Sequence, residues 1–169
     1  MQKTLFFYFL IFISFSFFSQ KEVFIHLVPN VNNTTFNLNT NYNGLDGKSF
    51  NIDHFDYYIS DITLTHDGGI STGFLDSSHT YLIEPDNYII SLGSLNLNSI
   101  EEIEFTMGVP SRYNTISGSN SQDISSFPLT HPLSFQSPSM YWGWSTGYMH
   151  MIIGGNVDND NNGTPETYF

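Results

Sequence analysis

Cysteine is absent from the chain. Neither a disulfide framework nor a thiolate metal site is therefore available, and burial with hydrogen bonding must hold the fold. Basic residues are almost absent as well, with four lysines and arginines against sixteen acidic residues. All sixteen acids follow residue 20, where only Lys21, Lys48 and Arg112 oppose them, leaving a net charge near −13 on that part. A surface of that sign argues against nucleic acid and anionic membrane as partners, and it attracts cations. The six histidines form no HxH or HxxxH pattern, so a metal site has to be assembled from separate strands. A convincing helical period is missing throughout.

The first twenty residues stand apart. Lys3 precedes an apolar run from Leu5 to Phe18, interrupted only by Ser14 and Ser16. That run is shorter than the roughly 20 residues a spanning helix needs, and Ser14, Ser16 and Ser19 offer small residues for cleavage. Residues 1–20 are expected to be a cleaved signal peptide, with no cysteine after them for a lipid anchor. The remainder, residues 21–169, has the size of one domain exported to the periplasm or cell surface.

Strand signals fill that domain. Val23–Val28 alternates, placing Val23, Ile25 and Leu27 on one face and Phe24, His26 and Val28 on the other. Ser49–Thr65 is rich in Phe, Tyr, Ile and Thr without Gly or Pro, which predicts one long strand or two abutting ones. Short strands follow at Thr80–Ile83, at Tyr88–Leu92 and around Ile103–Met107, while Val109–Pro138 reads as a long irregular loop. Gly147–Gly155 reads as a strand, Asn156–Gly163 as a hairpin turn, and Thr167–Phe169 as the start of a return strand. The predicted fold is all-β, an antiparallel, Greek-key-like β-sandwich. Because the chain stops inside that return strand, it reads as truncated at the C-terminus, with its last strands missing.

The stretch from Pro138 to Gly155 holds both tryptophans, Trp142 and Trp144, and three of the five methionines. On a regular strand the two indoles share a face, which suits either a core or a stacking platform. Gly143-Trp-Ser-Thr-Gly147 matches the G-x-S-x-G nucleophile elbow, but the apolar strand expected after it, in place of a helix, removes the context that motif needs. Asp158, Asp160, Asn162 and Glu166 occupy positions of an EF-hand-type calcium loop, yet position twelve is Phe169 rather than a bidentate glutamate. An Asn/Asp-rich turn is the plainer reading. His26 and His150 each interrupt an otherwise apolar strand; each is either a satisfied sheet residue or a metal ligand. His54, His66 and His79 stand beside Asp or Ser and read as surface residues.

Several segments together resemble one family. Tyr57-Tyr-Ile-Ser60 with Asp-Ile-Thr-Leu64, Tyr81-Leu-Ile83, Ile103-Glu-Phe-Thr-Met-Gly-Val109, His131-Pro-Leu133 and Met140-Tyr-Trp-Gly-Trp-Ser-Thr-Gly-Tyr148 resemble, in that order, the MbnP-like family of exported copper-binding β proteins. The resemblance, of the kind common in Bacteroidetes, implies copper as cofactor and no catalysis. It also implies a di-haem peroxidase-like partner that oxidises a tryptophan, here Trp142 or Trp144, to kynurenine near the metal. The motifs do not assign its histidine ligands; His26 and His150, from their places in apolar strands, and His131 are the expected ones. The competing expectation is a surface binding or adhesion module with a weak calcium turn.

Overall fold

The computed structural model describes residues 19–115 and 123–169. The segment expected to be a signal peptide, residues 1–20, lies almost wholly outside that range. Among the described residues no helix is long and apolar enough to cross a membrane. The strands are β1 (Lys21–His26), β2 (Asn30–Val31), β3 (Thr34–Thr35), β4 (Tyr42–Asn43), β5 (Ser49–His66), β6 (Ile70–Phe74), β7 (Tyr81–Ile83), β8 (Ile89–Leu95), β9 (Ile100–Met107), β10 (Met151–Val157) and β11 (Thr167–Tyr168). A single helical turn, α1 (Gly143–Thr146), precedes β10.

β5 is the spine. Its Phe-, Tyr- and Ile-rich sequence sustains 18 residues of strand, and five other strands pair with it, all antiparallel. One edge takes β10 along Phe50–Tyr57 and then β9 along Ile59–His66. The other takes β4 at Ser49 and Phe50, β7 at Tyr57–Ile59 and β6 at Ile62–His66. Asp61 breaks the alternation with φ 50°, where the register with β9 slips between Ser60 and Thr63. This bulge lets Tyr57 and Ile59 before it, and Ile62 and Leu64 after it, reach the same core. Arg112 fixes the bulge by gripping both carboxylate oxygens of Asp61 and donating to the Leu75 carbonyl.

β1 and β8 pair with each other as a separate antiparallel layer. Val23, Ile90 and Leu92 from that layer pack on Tyr57, Ile59, Ile62 and Leu64 to form the sandwich core, each buried side chain contributing about 1.5–3 kcal/mol. The opposite face of β5 is covered by loops rather than strands: Tyr58 packs with Val109, Leu133, Met140 and Tyr148. Phe36, Tyr42 and Ile52 make a third, smaller cluster at the start of β5.

The antiparallel β-sandwich is as the sequence predicts, as are the strand around Ile103–Met107 and the β10–β11 hairpin, and of the two readings of Ser49–Thr65 the single long strand is the one formed. β6 is an addition: its Ile-Ser-Thr-Gly-Phe sequence is too short and polar to announce a strand, and it pairs because the turn after His66 folds it back. The strand after the Trp-rich stretch begins at Met151, not Gly147.

Candidate functional site

Tyr58 marks the point where one edge of β5 passes from β10 to β9. Its N–H donates to the His150 carbonyl (3.0 Å), and its own carbonyl accepts from Gly108 N–H (2.8 Å). The end of β9 and the start of β10 therefore meet there. Ser60 Oγ donates to the Gly108 carbonyl at 2.7 Å, and His150 Nδ1 accepts from Val109 N–H at 2.9 Å. Gly108 has φ 123°, and a Cβ on it would fall 2.5 Å from His150 Nδ1. Only glycine tolerates both that backbone and that neighbour.

The loop layer is anchored on the same spot. Tyr58 donates its phenol to the Pro132 carbonyl at 2.9 Å, and Tyr148 donates its own to the Leu133 carbonyl. The two rings meet edge to face at 6.1 Å. Burial pushes both phenols well above the ordinary tyrosine range, so both stay neutral donors. Segments that carry the family resemblance, far apart in sequence, thus converge on one buried cluster.

From that cluster the Trp-rich loop projects. A bridge between Tyr141 and Tyr148, with Trp142 N–H donating to the Gly147 carbonyl and Met149 N–H to the Met140 carbonyl (both 2.8 Å), closes a hairpin whose tip is α1. Gly143 and Gly147 both take positive φ, 56° and 76°, to make the tip. Asn114, which sequence reasoning passed over, locks the loop: its Oδ1 accepts from Tyr148 N–H (2.7 Å) and its Nδ2 donates to the Tyr148 carbonyl. An open depression of about 570 Å³ results, lined by Asn114, Trp142, Tyr148, Met149, His150 and Met151 among others. Trp142 stands 69% exposed beside it. The helical turn removes the regular strand on which Trp142 and Trp144 would share a face; the Trp144 side chain lies outside the described residues. The same turn replaces the strand-to-helix elbow of the G-x-S-x-G match.

The predicted ligands are not brought together. His26 is exposed on the outer face of the β1–β8 layer, beside Phe24 and Ile89. His131 lies in the loop layer, on the other side of the main sheet, stacked on Phe127 at 4.3 Å between ring centres. His150 sits at the β9–β10 junction. Both His131 and His150 also have Nδ1 occupied, since His131 Nδ1 accepts from Leu133 N–H at 3.0 Å. An accepting Nδ1 leaves the proton of a neutral imidazole on Nε2, so a metal reaches either ring only by breaking that bond. Burial holds the His131 pKa below the usual range, against a hydrogen bond with the Ser77 backbone.

His66 and His79 are structural. His66 is buried rather than exposed, with Nδ1 3.2 Å from Asp67 and Nε2 3.0 Å from Thr72; His79 Nδ1 is 2.9 Å from Asp76. His54 is different. It lies within β5, half-buried rather than on the surface, and strand alternation puts it on the same face as Asp56. Its Nε2 is 3.1 Å from Asp56 Oδ2, yet that nitrogen is buried and has no hydrogen-bond partner. The distance allows a bond, so the fault is direction: the oxygen is off the nitrogen's axis. Asp56 is 4% exposed, and burial raises its carboxyl pKa, offset in part by His54.

Among the described residues, one group of three histidine or acidic side chains comes close enough to share an ion: Asp158, Asp160 and Glu166, within 4.8 Å. Asp158 accepts from Asn162 and Gly163 N–H, Asp160 from Asn162 N–H, and Glu166 from Asn159 N–H. Asn162 Oδ1 accepts from Thr164 N–H. These oxygens cap the β10–β11 turn, which accounts for the cluster without calcium.

Comparison with known proteins adds three findings. A model of the MbnP family matches residues 20–169. No curated protein matches the chain. Among solved structures, MbnP from Methylosinus trichosporium is similar, with a TM-score of 0.62 at 12% identity over 89% of this chain and 61% of that one. At such identity the likeness establishes the fold alone, and the chain spans about three fifths of that protein's length.

Proposed function

The chain belongs to the MbnP family, and from that premise we propose that it is an exported, non-catalytic copper-binding protein acting in the periplasm or at the cell surface. The observation that carries this reading is the family match across residues 20–169. Two features of the chain support it. With no thiols, imidazole, thioether and carboxylate are the available metal donors, and imidazole and thioether suit copper in its two oxidation states. A net charge of −12 draws cations toward the surface.

Trp142, exposed beside Met149 and Met151, is an indole that a second protein can reach. In this reading a di-haem peroxidase-like partner oxidises Trp142 or Trp144 to kynurenine. The test is the protein purified from its exporting host. The expected result is copper carried through purification, cleavage near residue 20, and a kynurenine mass shift on a peptide containing Trp142 and Trp144. Copper-free protein retained in the cytoplasm would overturn the proposal, and an unmodified peptide would remove the partner enzyme from it.

A further inference from the structure

All six histidines are described, and their ring nitrogens differ in what they touch. His131 and His150 each spend Nδ1 on a backbone N–H. His66 has both nitrogens within hydrogen-bond reach of Asp67 and Thr72, and His79 faces Asp76. His26 is exposed on an outer face. Only His54 has a ring nitrogen that is buried and without a hydrogen bond. A buried polar atom left unpaired costs about 1–3 kcal/mol, so its persistence beside a buried carboxylate calls for a physical reason.

We propose that His54 Nε2 and Asp56 Oδ2 are two ligands of a divalent transition-metal site on β5. Two donor atoms that bind one cation at about 2.0–2.2 Å, near a right angle, stand about 3 Å apart and point at the ion, not at each other. His54 and Asp56 show that relation, being 3.1 Å apart and misaligned for a mutual hydrogen bond. β5 supplies the rigidity, because residues two apart on a strand share a face and β10 pairs with this stretch at both His54 and Asp56. His54 keeps 26% of its side chain exposed while Asp56 keeps 6%, so a cation reaches the buried Nε2 past the exposed part of the imidazole. The set is one nitrogen and one oxygen, suited to cupric ion and zinc rather than to cuprous ion, which prefers sulfur. As a copper site the proposal rests on the function argued above; as a divalent-metal site it stands without it.

The experiment uses residues 21–169, metal-stripped. Cupric ion is added and followed by electron paramagnetic resonance for equatorial nitrogen coupling, with chelator competition giving affinity. His54→Gln and Asp56→Asn are each expected to weaken binding on the order of a hundredfold, while His79→Ala leaves it unchanged. Because β5 variants can misfold, unsubstituted protein is also titrated with zinc by NMR, where the His54 ring and Asp56 carboxyl signals are expected to shift first. Tight copper that survives both substitutions would overturn the ligand assignment and leave the copper function standing. Zinc at His54 without copper affinity would do the reverse. Signals of His54 and Asp56 that no cation moves would mean an ion pair only, and would overturn the site.

Discussion

Gly108→Ala tests the junction on which the loop layer depends. The added Cβ meets His150 Nδ1 at 2.5 Å, Cγ at 2.8 Å and Cβ at 3.1 Å, so the imidazole must leave its place against Val109. Holding alanine at φ 123° costs about 1–3 kcal/mol. Stranding the part-buried Val109 N–H costs about 1–3 kcal/mol more. The sum, about 2–6 kcal/mol, is a large share of the 5–15 kcal/mol typical of a whole domain. At about 2–4 °C per kcal/mol for a domain near this size, the melting temperature should fall by about 4–24 °C. The assay is denaturant unfolding of Gly108→Ala, His150→Ala and the double variant. His150→Ala alone strands the same N–H, so the two losses overlap, and the double variant should be less destabilised than the sum by about 1–3 kcal/mol. A Gly108→Ala cost within about 0.5 kcal/mol of zero, the range of an ordinary surface change, would refute the reasoning. Strict additivity would refute the role of His150 in it.

His131 favours its neutral form because burial holds its folded pKa below the ordinary 6.5; the stability it contributes is complete above that value and is lost as pH falls through the folded pKa. His131→Asn keeps an acceptor for Leu133 N–H without titrating, so melting curves between neutral and mildly acidic pH should slope less than the parent's, and equal slopes would count against it. Asp56 has the opposite sign: with its folded pKa raised from 3.8 by burial, its contribution is complete below that value and is lost as pH rises through the folded pKa. Metal-free Asp56→Asn should therefore gain on the parent as pH climbs through the acid range, and a constant difference would contradict the buried carboxylate. Tyr58→Phe removes the donor to the Pro132 carbonyl and should cost about 1–2 kcal/mol in urea unfolding; an unchanged midpoint would mean that the phenol does not hold the loop layer.

Much of the fold was legible in the sequence because alternation is a local signal. Ser49–Thr65 reads as strand from its own composition, and the alternation of Val23–Val28 separates its two faces. The bulge at Asp61 is not legible, since it arises from pairing with β9, and neither is α1, whose glycines at 143 and 147 look like parts of a serine motif. For the candidate site the segments were legible but their meeting was not. Tyr58, Gly108, Leu133 and Tyr148 are joined only by tertiary contacts. His26 and His150 stood out by interrupting apolar strands, yet that signal cannot report what each ring touches. The overlooked pair had a visible mark: His54-x-Asp56 inside a predicted strand puts both side chains on one face.

The central claim is that the chain binds copper. Metal-free residues 21–169 dialysed to equilibrium against buffered copper, with calcium and zinc in parallel chambers, test it most directly. The account predicts stoichiometric copper that survives a competing chelator and raises the melting temperature with concentration, as a ligand of the folded state must. Copper at background level, with calcium retained and stabilising instead, would contradict it.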